Sequence, residues 1–342
     1  MVSLTSLQDY FQFLKTLRIS RLWNASKIVI SYVRSRWGNS SQIWGLPMAL
    51  AIEPTTSCNL RCPECPSGLR SFTRPTGMLS VPVFSQLINE LADSLFYLTF
   101  YFQGEPYLHP DFLSMVSQAR AKGIYTATST NAHFLTDDMA KKTVASGLSR
   151  LIISIDGTTQ ETYEAYRVGG NLDKVLEGTR RIIHWKKTLK SSTPHVIFQF
   201  LVVRPNEHQL EDVRSLAKSL GVDEVRLKTA QIYDYEQGSP LIPTQDRYAR
   251  YAEVSPGKFV IKNKWLNHCW KMWHSCVVTW DGRVVPCCFD KDAHHVMGQV
   301  PEKSFGEVWQ SVAYQDFRQK LQGARSSIEM CKNCTEGTPL WG

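Results

Sequence analysis

Three cysteines stand within eight residues in the run Glu53-Pro-Thr-Thr-Ser-Cys58-Asn-Leu-Arg-Cys62-Pro-Glu-Cys65. Three thiolates so spaced can bind three corners of a four-iron cube, whereas full protein ligation takes four cysteines. The fourth iron is then open to a ligand that is not protein, the mark of a cluster that engages a substrate rather than only passing electrons. A zinc ion completed by a distant residue is the other chemistry this trio permits. Six more cysteines lie late in the chain, at 269, 276, 287, 288, 331 and 334, with none between Cys65 and Cys269. In a reducing compartment such grouping signals metal or catalysis before disulfides. Two separate metal sites would produce it.

The elements that must position these groups can be read from the apolar pattern. Strand candidates are 49–53, 97–102, 124–128, 151–155, 196–203 and 224–228. Helical patterns lie between them: one after Ser80 with Pro82 in its first turn, others over 110–122, 137–146, 172–189 and 207–220. Gly123, Gly147 and Gly221 follow three of these, where a left-handed helix stop is expected. Six β-then-α units predict a parallel α/β fold with right-handed crossovers. Six are too few to close an eight-fold barrel, so a partial, open (β/α)6 TIM-like barrel is expected over residues 48–233. Residues 234–262 look like a linker. Residues 263–342 hold a hairpin candidate at Asp281-Gly282, the late cysteines and a helix opened by Ser304 and Glu307 in capping-box spacing. So small a segment has little core of its own, and a metal cluster would supply folding energy.

Cys-x-x-x-Cys-x-x-Cys directly after a first strand resembles the radical S-adenosylmethionine (radical SAM) superfamily. The resemblance implies that Cys58, Cys62 and Cys65 hold a [4Fe-4S] cluster whose open iron chelates S-adenosylmethionine. One-electron cleavage of that cofactor yields a deoxyadenosyl radical, which abstracts hydrogen from a substrate. The residue before the third cysteine is usually aromatic in the family, and here it is Glu64. The family's Gly-Glu segment is matched by Gly104-Glu105, which implies binding of the cofactor's amine. Ser129 and Asn131 sit at the end of the third strand candidate. Ser154, in Ser154-Ile155-Asp156-Gly157, resembles a ribose or carboxylate contact, while Asp156 could cap the next helix. Arg167 stands where related enzymes bind the cofactor carboxylate, a chemically sensible partner for a guanidinium. Lys228 is a weaker candidate, and Phe200 to Val202 read as core.

The late cysteines resemble the SPASM and twitch extensions of radical SAM enzymes, which carry auxiliary clusters. A full SPASM domain uses more cysteines after its first pair than remain here. The resemblance therefore implies one auxiliary [4Fe-4S] cluster on Cys269, Cys287, Cys331 and Cys334. Cys276 could replace Cys269, and Cys276 and Cys288 otherwise read as spare thiols. Zinc is the competing occupant. His294-His295 reads as polar loop. Trp265, Trp270, Trp273, Trp280 and Trp341 read first as packing for a thin domain and second as a substrate cleft.

The net charge of +8 is uneven: residues 1–45 carry six Lys and Arg against the single acid Asp9. Residues 1–47 predict a basic amphipathic helical segment that either covers the barrel bottom or lies peripherally on an anionic membrane surface. The absence of an eighteen-residue apolar run and of a secretory signal predicts a cytoplasmic location. The charge is not spread over a folded face, so no nucleic acid is expected. The expected activity is hydrogen abstraction from an unidentified small-molecule or peptide substrate, in a dehydrogenase-like oxidation with an auxiliary cluster taking the electron and a flavodoxin or ferredoxin as donor. Peptide modification is the first alternative, set second because the 47 leading residues are few for a leader-binding domain. A zinc-binding nucleic-acid interaction protein is the alternative from another class.

Overall fold

Strand β1 (Ala49–Ile52) opens the sheet and is paired on both edges, in parallel, by β2 (Tyr97–Thr99) and by a strand from the far end of the chain. The sheet then runs in chain order through β3 (Tyr125–Thr130), β4 (Arg150–Ser154), β5 (His195–Val202) and β6 (Glu224–Thr229), all parallel. The computed structural model describes residues 4–38, 40–263 and 266–335. The strands at the sheet's centre are buried along nearly their whole length, as parallel strands covered by helices must be. Helix Val81–Leu91 begins at the Ser80 cap and turns Phe84, Leu87, Ile88 and Leu91 inward. Gly123, Gly147 and Gly221 all have positive φ at helix ends. The open, six-unit parallel barrel expected from the apolar pattern is the observed core.

Two features depart from the expected organisation. The stretch 234–262, read as a linker, contains a hairpin of β7 (Tyr251–Ser255) and β8 (Lys258–Ile261). Its Tyr251 hydroxyl accepts the Ile232 N–H and lies 2.8 Å from Asn333 Oδ1, which ties the hairpin to the last cysteine loop. The C-terminal segment also joins the barrel instead of standing beside it. Strand β9 (Ser275–Val278) pairs with β1 from Ala49↔Ser275 to Ile52↔Val278. The turn at Asp281-Gly282 leads into β10 (Arg283–Val285), antiparallel to β9, and then to β11 (Gly298–Gln299). Gly282 has φ +82, and a Cβ there would sit 2.0 Å from the Val300 carbonyl, so the turn admits only glycine. An open barrel leaves β1 with an unpaired edge, and covering it removes a row of exposed amide and carbonyl groups. Ser304 and Glu307 form the expected capping box.

The N-terminal helices α1 (Leu4–Leu14) and α2 (Ile19–Gly38) close the amino-terminal end of the barrel. Asp9 is buried and accepts from the Tyr125 hydroxyl and Arg150. Arg21 is fully buried and donates to the carbonyls of Thr16, Ala92, Lys122 and Gly123 at 2.7–3.1 Å. Farther along, Ile28 is buried and Tyr32 packs edge-on against Trp270 and Trp273. Helix α2 thus links the barrel bottom to the C-terminal segment. Among the described residues no helix is long and apolar enough to cross a membrane.

Replacing Arg21 by Leu leaves four backbone carbonyls without this buried donor. The expected loss of stability is about 3 kcal/mol or more, read as a lowered urea midpoint. An unchanged midpoint would show that α2 does not hold the barrel bottom.

Candidate active site at the carboxyl ends of the strands

Where β1 ends, Glu53 is fully buried and receives both terminal guanidinium nitrogens of Arg74, at 2.8 and 2.5 Å, and the Trp280 N–H at 3.2 Å. This anchor fixes the start of the cysteine loop against the C-terminal turn. The loop doubles back tightly: a Cβ on Gly68 would lie 2.6 Å from the backbone of Cys62. Cys62 is buried, while Cys58 and Cys65 are partly exposed. Burial first, then the neighbouring acid and thiols, pushes Cys58 up to about 11. Burial also raises Cys62, opposed by Arg167. The bare loop therefore favours thiols, and thiolates require a compensating cation such as a metal cluster.

The Gly104-Glu105 segment lies behind this loop. Gly104 has φ +75, and a Cβ there would meet the Thr55 carbonyl at 2.1 Å. Close approach of the chain to itself is thus what requires this glycine. Its N–H is held by the Ser67 hydroxyl at 2.9 Å. The buried Glu105 carboxylate accepts the Thr130 hydroxyl (2.8 Å), the Asn131 N–H (2.8 Å) and the Tyr107 N–H (3.3 Å). It shapes the end of β3, while burial lifts it to about 7. That contact points the Asn131 side chain at Asn59 Oδ1 (2.7 Å) and toward Cys58 Sγ (4.0 Å).

Asp156 is fully buried, and it does not cap the following helix, which Thr159 caps. Asp156 accepts the Leu201 N–H at 2.7 Å and Arg167 Nε at 2.5 Å. The pair holds Arg167 Nη1 at 3.7 Å from Cys62 Sγ. Arg167 therefore already has a carboxylate partner and a thiol neighbour. Ser129 and Ser154 approach each other at 3.5 Å. Every residue expected at the first site (Cys58, Cys62, Cys65, Gly104, Glu105, Ser129, Asn131, Ser154 and Arg167) lines one cavity of about 290 Å³.

That cavity also contains Gln199, Tyr166 and Lys291, which the sequence reading missed. Tyr166 adjoins Arg167, and Gln199 alternates with buried neighbours on β5, so both carried a local signal. Lys291 comes from the C-terminal segment and carried none; burial lowers its pKa, and its Nζ lies 4.8 Å from the Tyr233 ring centroid. Glu64 accepts the Tyr233 N–H at 2.9 Å and so pins the cysteine loop to the segment after β6. Lys228 is exposed, and Phe200 and Val202 are core.

Among the late cysteines, Cys269, Cys331 and Cys334 are buried around Arg325, whose Nη2 lies 3.5 Å from Cys334 Sγ and which feels the charge of all three. Burial raises Cys331 to about 11, opposed by Arg325 and reinforced by Cys334 and Cys269. Cys287 is raised by its hydrogen bond with Cys288 and by burial, and it feels the charge of Cys269. Cys276 is turned to a different neighbourhood, that of Tyr314 and Arg318. The geometry thus groups Cys269, and not Cys276, with the Cys331–Cys334 loop. Asp290 accepts the backbone N–H groups of His294 and His295. Trp270 and Trp273 are buried packing, and Trp280 donates to the Pro75 carbonyl; Trp265 and Trp341 lie outside the described residues.

The donor set fits iron–sulfur chemistry at both places: soft thiols, with Asn131 and Arg167 donors beside the first group and Arg325 beside the second. Among the described residues no three His, Cys, Asp or Glu side chains close round a single ion.

The raised Glu105 carboxyl gives a signed pH effect. Its folded form keeps a proton up to about pH 7, whereas an unfolded glutamate loses it near pH 4.3. The stability it contributes is complete below the lower value and lost as pH rises through the upper one. The cluster-free protein should lose up to roughly 3 kcal/mol over that window. Urea midpoints at pH 5 and 7.5 test it, since Glu105→Gln should flatten the slope. Equal slopes would mean that Glu105 ionises normally.

Comparison with known proteins extends these observations. Residues 52–224, just over half the chain, match the model of the radical SAM superfamily, and residues 269–335 match SPASM, an iron-sulfur cluster-binding domain. The chain is 25% identical to the tungsten-containing aldehyde ferredoxin oxidoreductase cofactor-modifying protein of Pyrococcus furiosus, over 79% of this chain and 82% of that protein. It is 23% identical to the PqqA peptide cyclase of Gluconobacter oxydans, over 86% of this chain and 85% of the relative. In fold it is similar to SuiB of Streptococcus suis, solved bound to the precursor peptide SuiA, with TM-score 0.62 and 14% identity over 92% of this chain and 76% of that one. A cysteine trio after β1, a second thiol group on a C-terminal extension and a partial parallel barrel converge with these matches: the chain is a radical SAM enzyme, a member of the radical SAM superfamily carrying a SPASM iron–sulfur domain.

Proposed function

We propose that this enzyme modifies a peptide or protein segment, using the cluster held by Cys58, Cys62 and Cys65. The observation that carries the reading is a second cavity of about 910 Å³ beside the first. It lies between the cysteine loop at Glu64, the segment Tyr233–Glu236 and the loops bearing Lys291 and Asn333. Lys291 lines both cavities. The volume of this second cavity lies near the upper end of the roughly 300–1,000 Å³ typical of ligand pockets, and it has room for several residues of an extended chain as well as for a small molecule. The relatives favour the same reading over the dehydrogenase-like oxidation expected first, since one of them is a peptide cyclase.

The cluster and S-adenosylmethionine supply one-electron cleavage and hydrogen-atom abstraction when bound. Around them, Asn131 and Arg167 steady the thiolates of Cys58 and Cys62 by hydrogen bonding. Ser129, Ser154 and the remaining donors of Arg167 present polar groups to the cofactor, while Asp156 keeps the guanidinium in place. The main chain at Gly104 and the ordered end of β3, held by Glu105, form the opposite wall. Cys269, Cys287, Cys331 and Cys334 hold an auxiliary cluster, and a flavodoxin or ferredoxin supplies electrons.

Two measurements test this. Anaerobic reconstitution should give about eight irons per chain, and about four in the Cys58/Cys62/Cys65→Ala variant. Cys269→Ser should lose the auxiliary iron while Cys276→Ser keeps it; the reverse would exchange their roles. Deoxyadenosine release by the reconstituted enzyme should rise several-fold with a pooled library of unstructured peptides and stay basal with pooled sugars and aminocyclitols. Stimulation by the small molecules alone would sink the peptide reading and restore oxidation.

A further inference from the structure

Thirteen of the twenty-four exposed large apolar side chains among the described residues fall between Leu7 and Trp44. Helix α1 turns Asp9 and Gln12 inward, followed by Thr16 in the turn after it, and leaves Tyr10, Phe11 and Leu14 in water. Helix α2 buries Arg21, Ile28, Ser31 and Tyr32 and exposes Ile19, Trp23, Ile30 and Trp37, with Ile19 and Trp37 each 87% exposed. The usual amphipathic order is thus partly reversed: polar side chains serve the barrel, and an apolar stripe faces out. Soluble surfaces rarely keep so continuous a patch without a partner.

The exposed charges that the two helices and the turn between them carry are of one sign. Lys15, Arg18, Arg34 and Arg36 are exposed, and Lys27 lies over the Trp23 ring at 5.5 Å. Arg34 lies over the Trp44 ring at 4.5 Å. The only acid in residues 1–45, Asp9, is buried against Tyr125 and Arg150. Apolar aromatic side chains interleaved with cations, and no exposed carboxylate on either helix, match the boundary of an anionic lipid bilayer. There such helices lie in the plane, with the apolar side about 5–10 Å deep.

We infer that α1 and α2 form an in-plane docking surface for anionic membranes. Arg21 and Asp9 fasten these helices to residues that precede β2 and β3 and to the first residue of β4, whereas the cysteine cavity lies at the opposite ends of the strands. Docking therefore leaves the mouth of the site facing away from the lipid, open to substrate. This surface is independent of the peptide reading.

Deleting the helices would unfold the barrel, because Arg21, Ile28 and Tyr32 belong to its core. The test is vesicle flotation of the full chain with phosphatidylcholine alone and with added phosphatidylglycerol, at low and high salt. The wild-type chain should float at least about tenfold more with the anionic vesicles and less at high salt. Trp23→Ser/Trp37→Ser and Lys15→Glu/Arg34→Glu should each abolish flotation without changing the urea midpoint or the deoxyadenosine rate. Flotation no better than without vesicles, or undiminished in both variants, would overturn the inference. So would a dimer in sedimentation velocity that the tryptophan substitutions disperse, which would give the face to a second copy of the chain.

Discussion

The arrangement depends on β1 being paired on both edges. A six-stranded open barrel leaves that strand with one row of unsatisfied backbone groups, and parallel sheets tolerate such an edge poorly. Strand β9 covers it, in register from Ala49 to Ile52. The same strand that launches the Cys58–Cys65 loop thereby receives the C-terminal extension. The Glu53–Arg74 pair and the Trp280 N–H then lock the loop, the strand end and the turn into one polar knot. Breaking a buried pair of this kind from one side costs about 3–5 kcal/mol, so the knot constrains the distance between the two thiol groups.

Electrostatics at the site follow from burial. Burial raises the pKa of Cys58, Cys62 and Glu105, so their neutral forms are favoured. Two buried carboxylates at the site have guanidinium partners, Asp156 with Arg167 and Glu53 with Arg74. Near the second group the pattern is inverted: Arg325 is a buried cation set among thiols. Each thiol group therefore has a nearby hydrogen-bond donor that can steady thiolate charge when metal arrives.

Much of this was legible in the residue string because it is local. Alternation of apolar runs located the six strands, and capping residues and glycines marked helix ends. The cysteine spacing and the strand-end polar segments brought nine residues to one cavity. The local reading was incomplete where a side chain's partner lies far along the chain. A Gly-Glu turn does not disclose that Thr130 and Asn131 hold the Glu105 carboxylate. Asp156 looked like a helix cap because Arg167 and Leu201 are remote from it in sequence. The hairpin at 251–261 was missed for the same reason: the Tyr251 hydroxyl finds its partners at Ile232 and Asn333.

Residue types and short spacings alone determined the parallel barrel, the chemistry of the first cysteine group and the existence of a second, because periodicity and chelation act over a few residues. Tertiary structure decided which late cysteines stand together, that β9 seals β1, that Lys291 reaches the site, and that the basic N-terminal helices turn their apolar side outward. Those outcomes depend on which distant groups satisfy one another's hydrogen bonds and charge once water is removed, and only the folded chain brings those groups together.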